Sequence, residues 1–337
     1  MMTNPIKTVA ILALALASLN TFAQDDDMLK LLDQTAGPKT HDKVMATFKE
    51  SKIINAQTIE APKAKTVAFN ISHLFGNIGV MSNGGVHSLY GLDNISDVRF
   101  GFDFGITDKL TLGIGRSKQS ELTDGSIKYR ILSQTTDNHV PFSLAFYGDM
   151  SYCPQLASQF YSGLTPDANF KQTEFQRIAY TSQLILARKF GWRFSAELLP
   201  TYQHRNYVLA LINADNGAAE TNDLLSMGGG FRFKLTTRVA IIADYYYIFS
   251  KYRTNNTLIP YYNPLSVGLE IETGGHVFHL NFTNASGIIE NNYLVKTTDS
   301  WLKGGFKFGF NISRPFNLGH KKEKELEKAK KLSVNDL

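Results

Sequence analysis

The chain has 337 residues, a formal charge of +5, 43% hydrophobic and 12% aromatic residues, and one cysteine. It is too apolar and aromatic to stay disordered, and the lone Cys153 excludes a disulfide scaffold and any zinc or haem site built on paired cysteines. Beyond the N-terminus no stretch of about 18 apolar residues occurs, which excludes helical membrane spans, while the high glycine, phenylalanine and tyrosine contents point to β structure.

Lys7 gives a basic start, Thr8 to Leu19 an apolar core, and Thr21-Phe22-Ala23 the small residues that a signal peptidase reads. Residues 1–23 are therefore expected to be a signal peptide cleaved after Ala23, because the apolar core is too short to serve as a membrane anchor. Residues 24–63 open with Asp25-Asp26-Asp27, show short helical patches without sustained alternation, and are expected to form a periplasmic leader.

From Lys65 to Ile312 the apolar period becomes two, which places alternate side chains on opposite faces of a strand. Val98, Phe100, Phe102, Phe104 and Ile106 alternate with Arg99, Gly101, Asp103 and Gly105. The pattern recurs from Val67-Phe69-Ile71 to Phe306-Phe308-Phe310-Ile312 and predicts twelve strands over residues 64–316. Short joins (107–109, 135–138, 189–191, 235–237, 272–275) alternate with long ones (76–94, 117–125, 152–171, 206–222, 251–263, 284–299). The expectation is an all-β transmembrane antiparallel barrel with short periplasmic turns and long extracellular loops. In hydrocarbon no water pairs with backbone groups, so a sheet survives only if it closes. Trp192, Trp301, Tyr252, Tyr261 and Tyr262 fall at strand ends and are expected as membrane-interface aromatics. Residues 317–337 turn abruptly basic and read as a periplasmic tail, solvated or held by a periplasmic partner.

ATFKESKIINAQTIE (46–60), ISHLFG (71–76), LYGLDN (89–94), FGITDKLTLGIGRS (104–117) and DGSIKYRIL (124–132) together resemble a family of outer-membrane β-barrels of unknown function from the Bacteroidota. The resemblance is strongest over residues 46–132 and implies fold and outer-membrane location in a Gram-negative cell, with no activity to transfer. It departs at Leu74, where the family pattern suggests a basic residue. It also implies that residues 46–60 belong to the folded unit; a thirteenth strand would break the even count, so they are expected in or beneath the lumen.

If the apolar series faces lipid, the lumen is lined by Arg99, Asp103, Lys128, Arg130, Asp149, Arg177, Arg193, Glu197, Arg205, Arg232, Lys234, Asp244, Glu270 and Lys307. Nine of these are basic and five acidic, which favours a pore for small polar, anion-leaning solutes. The competing reading is a salt-bridge network that fills the barrel, since twelve strands lie between filled eight-stranded barrels and open porins. A further alternative is a non-conducting interaction platform acting through long loops, especially 152–171 with Tyr152, Phe160, Tyr161 and Phe170.

A hydrolase is a remote alternative. Ser72-His73 and His87-Ser88 are strand neighbours expected to point to opposite faces, and no G-x-S-x-G elbow occurs. His276 and His279 are likewise expected on opposite faces, and the Gly228-Gly229-Gly230 run reads as a bend in the wall. No catalytic residue, metal site or cofactor is predicted. The partners expected are outer-membrane lipid and small solutes, not nucleic acid, because acids are interspersed with the lysines.

Overall fold

The computed structural model of the chain describes residues 41–79, 85–155 and 172–318. The signal peptide, leader residues 24–40, Phe160, Tyr161, Phe170 and tail residues 319–337 lie outside the described residues. Twelve antiparallel strands close into one barrel: β1 Thr66–Asn77, β2 Ile95–Gly105, β3 Leu110–Ser117, β4 Thr123–Leu132, β5 Ser143–Tyr152, β6 Ile178–Lys189, β7 Phe194–Arg205, β8 Asp223–Lys234, β9 Val239–Phe249, β10 Leu265–Glu272, β11 Val277–Thr283 and β12 Lys307–Asn317. Each strand pairs with its chain neighbours, and β1 closes the cylinder on β12, with Thr66 opposite Asn317.

Alternation sets the two faces. On β2, Phe100, Phe102 and Phe104 are exposed on the outer wall, while the intervening positions turn inward. Leu74, where a basic residue was expected, is an inward side chain only 3% exposed. Four-residue turns at 106–109, 190–193, 235–238 and 273–276 lie at one end, and the connections 206–222, 250–264 and 284–306 at the other, where β1 and β5 also end; the β3–β4 connection at that end, expected to be long over 117–125, spans only 118–122. The β4–β5 connection runs over 133–142 and is longer than the tight turn expected at 135–138. It is longer because it receives the leader. The Val44 N–H donates to the Gln134 carbonyl at 2.8 Å, and Lys43 forms a bridge with Thr135.

The lumen is filled from both ends. Residues 43–62 rise as a hairpin, closed by the Lys52–Gln57 bridge and by the Ile53 N–H donating to the Ala56 carbonyl at 2.8 Å. Both legs of the hairpin leave by the short-turn end: one on the β4–β5 connection, the other beside the β2–β3 turn, where the Lys65 N–H reaches the Gly105 carbonyl. From the opposite end the 284–306 connection folds inward and carries α1, Glu290–Lys296, whose residues 290–295 are buried. The two fillings meet where Gln57 Nε2 donates to Glu290 Oε1 at 3.1 Å. Phe48, Ile53, Ile54 and Ile59 of the hairpin share one apolar cluster with Ile185, Leu199, Ile242 and Tyr246 of the wall and with Tyr293 and Leu294 of α1.

The glycine triplet does not bend the wall. Residues 228–230 stay within a regular β8, and a Cβ on Gly230 would lie 2.4 Å from Ile53 Cδ1, one on Gly228 2.4 Å from the Tyr246 ring. These glycines make room for the filling. A Gly230→Val chain should therefore fold as a barrel with the hairpin loosened, read as faster protease cleavage within 46–60 and unchanged heat-modifiable migration.

Candidate functional site in the lumen

The tip of the hairpin is held by one carboxylate. Asp244 Oδ2 on β9 accepts the backbone N–H groups of Ile54, Asn55 and Ala56 at 3.2, 2.7 and 3.1 Å. Asn55 Nδ2 donates to Ser266 Oγ at 3.0 Å, and Asn311 Nδ2 to the Ile54 carbonyl at 3.2 Å. On the legs, Lys128 Nζ donates to the carbonyls of Ser51 and Glu60 at 3.0 and 3.2 Å, and Arg130 Nη2 to that of Ile59 at 2.8 Å. Ser51 Oγ donates to Asp103 Oδ2 at 3.2 Å, and Lys49 pairs with Glu272 at 2.7 Å. Such bonds supply the partners that a non-regular buried backbone requires.

The other wall charges pair among themselves. Arg99 meets Asp124, Arg232 bonds Glu270 and Glu272 at 2.7 Å each, His279 lies 3.2 Å from Glu270, and Lys307 meets Asp299. Arg205 pairs with Glu220 at 2.8 Å near the long-loop end, and Lys234 is half-buried at the last position of β8. Asp149 and Glu197 are buried and accept no hydrogen bond from the described residues.

Two of the positions named from sequence lie elsewhere. Arg193 is exposed in the β6–β7 turn with its guanidinium 4.4 Å over the Trp192 ring, because the strand starts one residue later. Arg177 ends a single helical turn, Phe175–Arg177, before β6 and donates to the Pro154 carbonyl. Conversely, Asp97 and Asp124 are buried inward acids that alternation assigned to loops or strand edges.

Of the aromatics, Trp192 is exposed, and Trp301 is half-buried and stacked on Phe306 at 5.1 Å. Tyr261 and Tyr262 are half-buried near the long-loop rim. Tyr252 is only 2% exposed, packed inside its loop against Tyr261, so it is no interface residue. Ser72 turns inward, whereas His73 lies on the outer face with its ring 5.3 Å from that of Phe310. His87 and Ser88 lie in a short helical turn, Gly85–Ser88, not in a strand as expected.

A polar cavity runs between the hairpin and the wall on either side of the β1–β12 seam, from β11 round to β5, with about 50 Å³ for the centres of water molecules. Lys52, Asp103, Thr111, Lys128 and His279 line it, and Lys52 Nζ and Thr111 Oγ1 make no hydrogen bond to the described residues. Glu50 also lines it, and burial pushes its carboxyl from 4.5 up to about 7. The ionised form is thus disfavoured when the hairpin is seated. The cost is absent below an undocked value near 4.5, grows with rising pH, and is complete above about 7. Cleavage within 46–60 should accordingly be slower at pH 5 than at pH 8, and Glu50→Gln should abolish that difference; an unchanged pH difference in the variant would refute the assignment.

A closed barrel with an apolar exterior and a charged, filled interior defines the class: an outer-membrane β-barrel protein. Residues 48–316 match the family described as membrane bound beta barrel domain (DUF5777), and the chain belongs to that family. The match begins within the hairpin. Solved structures of similar architecture include a NanC porin (8% identity over 73% of this chain and 97% of that one, TM-score 0.41) and a KdgM porin in complex with disordered oligogalacturonate (8%, 74% and 99%, 0.39). Another is Salmonella typhi OmpF in complex with daunomycin (10% identity, 76% of this chain and 98% of that one, TM-score 0.33). The fold and the family rest on the strand pairing and the family match, not on these likenesses. Among curated proteins, none matches the chain.

Proposed function

We propose that the protein is an outer-membrane channel for small polar solutes that rests shut, with residues 43–62 as its periplasmic plug. The observation that carries this reading is the path of the hairpin, which enters and leaves by the same mouth. It can withdraw without breaking a wall hydrogen bond, and its backbone sits on polar side chains that water can replace. Charge selectivity should be weak. Asp97 and Asp124 add to the interior acids while Arg193 leaves the bases, so the sequence-based anion preference loses its footing. We assign no enzymatic role, since neither serine–histidine pair converges on one site.

Solute efflux from proteoliposomes tests the proposal. Full-length protein should retain small sugars and small carboxylates alike, and a chain with both fillings removed should release them at similar rates. A second reading, the non-conducting platform, is favoured by the apolar cluster that joins wall, hairpin and α1. A folded barrel that remains tight after both fillings are removed would select it.

A further inference from the structure

At the long-loop rim, β9 outlasts β10. The first β10 residue, Leu265, pairs with Tyr245, whereas β8 accompanies β9 up to Phe249. Above Tyr245 the free edge of β9 is met only by the approaching loop, through the Tyr246 N–H to the Pro264 carbonyl at 3.0 Å and the Ile248 N–H to Asn263 Oδ1 at 3.1 Å. The gap is a cleft, bounded on its far side by Leu294 and Thr297 of the inward-folded connection. About 190 Å³ of it admits the centres of water molecules, against about 50 Å³ in the lumen cavity.

The lining chemistry is distinctive. Tyr247, Tyr261 and Tyr262 supply aromatic surface, and Asn255, Asn263 and Arg253 supply polar groups. Arg253 is the sole permanently charged side chain among the described residues of the lining, and it is 7% exposed. It is already engaged by Glu220 at 3.3 Å, by the Val295 carbonyl at 3.2 Å and by the Tyr261 ring at 4.8 Å. A phosphate or carboxylate ligand calls for a cation free of a carboxylate partner; Arg253 Nε and Nη1 make no hydrogen bond to the described residues, but the guanidinium is already faced by Glu220 and no second cation stands beside it in the lining. By contrast, Asn255 is exposed and its amide makes no hydrogen bond to another described residue, and the same is true of the hydroxyls of exposed Tyr247 and half-buried Tyr262. The Tyr262 main chain is anchored from behind, its backbone N–H donating to the Thr297 carbonyl at 2.9 Å. Rigid amphipathic rings beside amides suit a ligand with apolar C–H faces and many hydroxyls.

We propose that this cleft at the extracellular rim is a binding site for a neutral saccharide, with Tyr262 as its stacking platform and Asn255 as its hydroxyl-binding amide. The assignment does not depend on whether the lumen conducts. The same chemistry is offered by a free oligosaccharide and by the sugar headgroup of an outer-leaflet glycolipid, and the position of Tyr247 on the lipid-facing series of β9 leaves the cleft within reach of both.

The test uses the full mature chain in micelles free of lipopolysaccharide, titrated by calorimetry with maltohexaose, cellohexaose, xylohexaose and mannohexaose, and separately with vesicles containing a neutral dihexosyl diacylglycerol. Binding of a free hexasaccharide identifies a soluble ligand; binding of the vesicles alone identifies the lipid headgroup. In either case Tyr262→Ala and Asn255→Ala should each weaken binding about tenfold, while Tyr262→Phe retains most of it and heat-modifiable migration is unchanged in all three. Absence of binding to every probe overturns the proposal, as does binding that Tyr262→Ala leaves intact.

Discussion

A mature chain that begins at Ala61, with residues 287–298 replaced by a glycine–serine linker, should conduct ions in planar bilayers under conditions where the full-length protein is silent. The expected difference is large. Seating the hairpin buries Phe48, Ile53, Ile54 and Ile59, and at about 1.5–3 kcal/mol per side chain this contributes at least ~6 kcal/mol. With every 1.4 kcal/mol worth about tenfold, the open fraction of the intact protein lies near 10⁻⁴ or below, and mean conductance should rise by about four orders of magnitude. Truncation to Ala61 alone should give a smaller rise, because α1 still occupies the outer half. Heat-modifiable migration on gels confirms that each barrel has folded. A folded, doubly opened barrel that passes no current sinks the channel reading.

The second large effect is expected at Asp244. Replacing it by alanine removes the acceptor of three buried N–H groups at once. Hydrogen bonds to a charged group are worth about 1.5–3 kcal/mol each, and part of that is recovered by water at the loosened tip, so hairpin seating should weaken by about 3–5 kcal/mol. Asp244→Asn keeps a neutral acceptor and should cost about half as much. The measurement is maleimide labelling of an Asn55→Cys reporter in a Cys153→Ser background. Labelling should accelerate by at least about a hundredfold with Asp244→Ala and by much less with Asp244→Asn. Equal rates in all three chains would show that Asp244 does not hold the tip.

The barrel was legible in the sequence because a lipid-facing wall leaves a period-two record in every strand, as in Phe100-Phe102-Phe104 and Phe278-Leu280-Phe282. Strand number followed from it, and so did the alternation of loop lengths except around β4, where the join expected to be long is 118–122 and the one expected to be short is 133–142. The filling of the lumen was harder to read, since the hairpin has no regular period of its own. Its trace lies instead on the wall, where alternation fails: Leu184-Ile185-Leu186, Leu198-Leu199 and Ile241-Ile242 are apolar on both faces, and Ile185, Leu199 and Ile242 are the inward residues that meet the hairpin cluster. An inward apolar residue in such a barrel signals a packing partner inside. The glycines at 228 and 230 carry the same message through absent side chains. Asp124 was missed because β4 begins at Thr123, four residues before its apolar pattern becomes visible at Ile127, and Tyr252 because a loop aromatic at a strand end does not reveal whether its loop folds over it.

Closure of the cylinder joins the first strand to the last, and the hairpin is tethered a few residues ahead of the first. The wall cannot close until β12 has been made, so a leader already placed inside the unfinished sheet would be enclosed as the seam seals, with the short-turn mouth left as its way out. On the channel reading proposed above, a barrel assembled in this order would reach the bilayer with its plug already seated. A leader peptide added to a preformed empty cylinder should seat far more slowly than one carried in on its own chain.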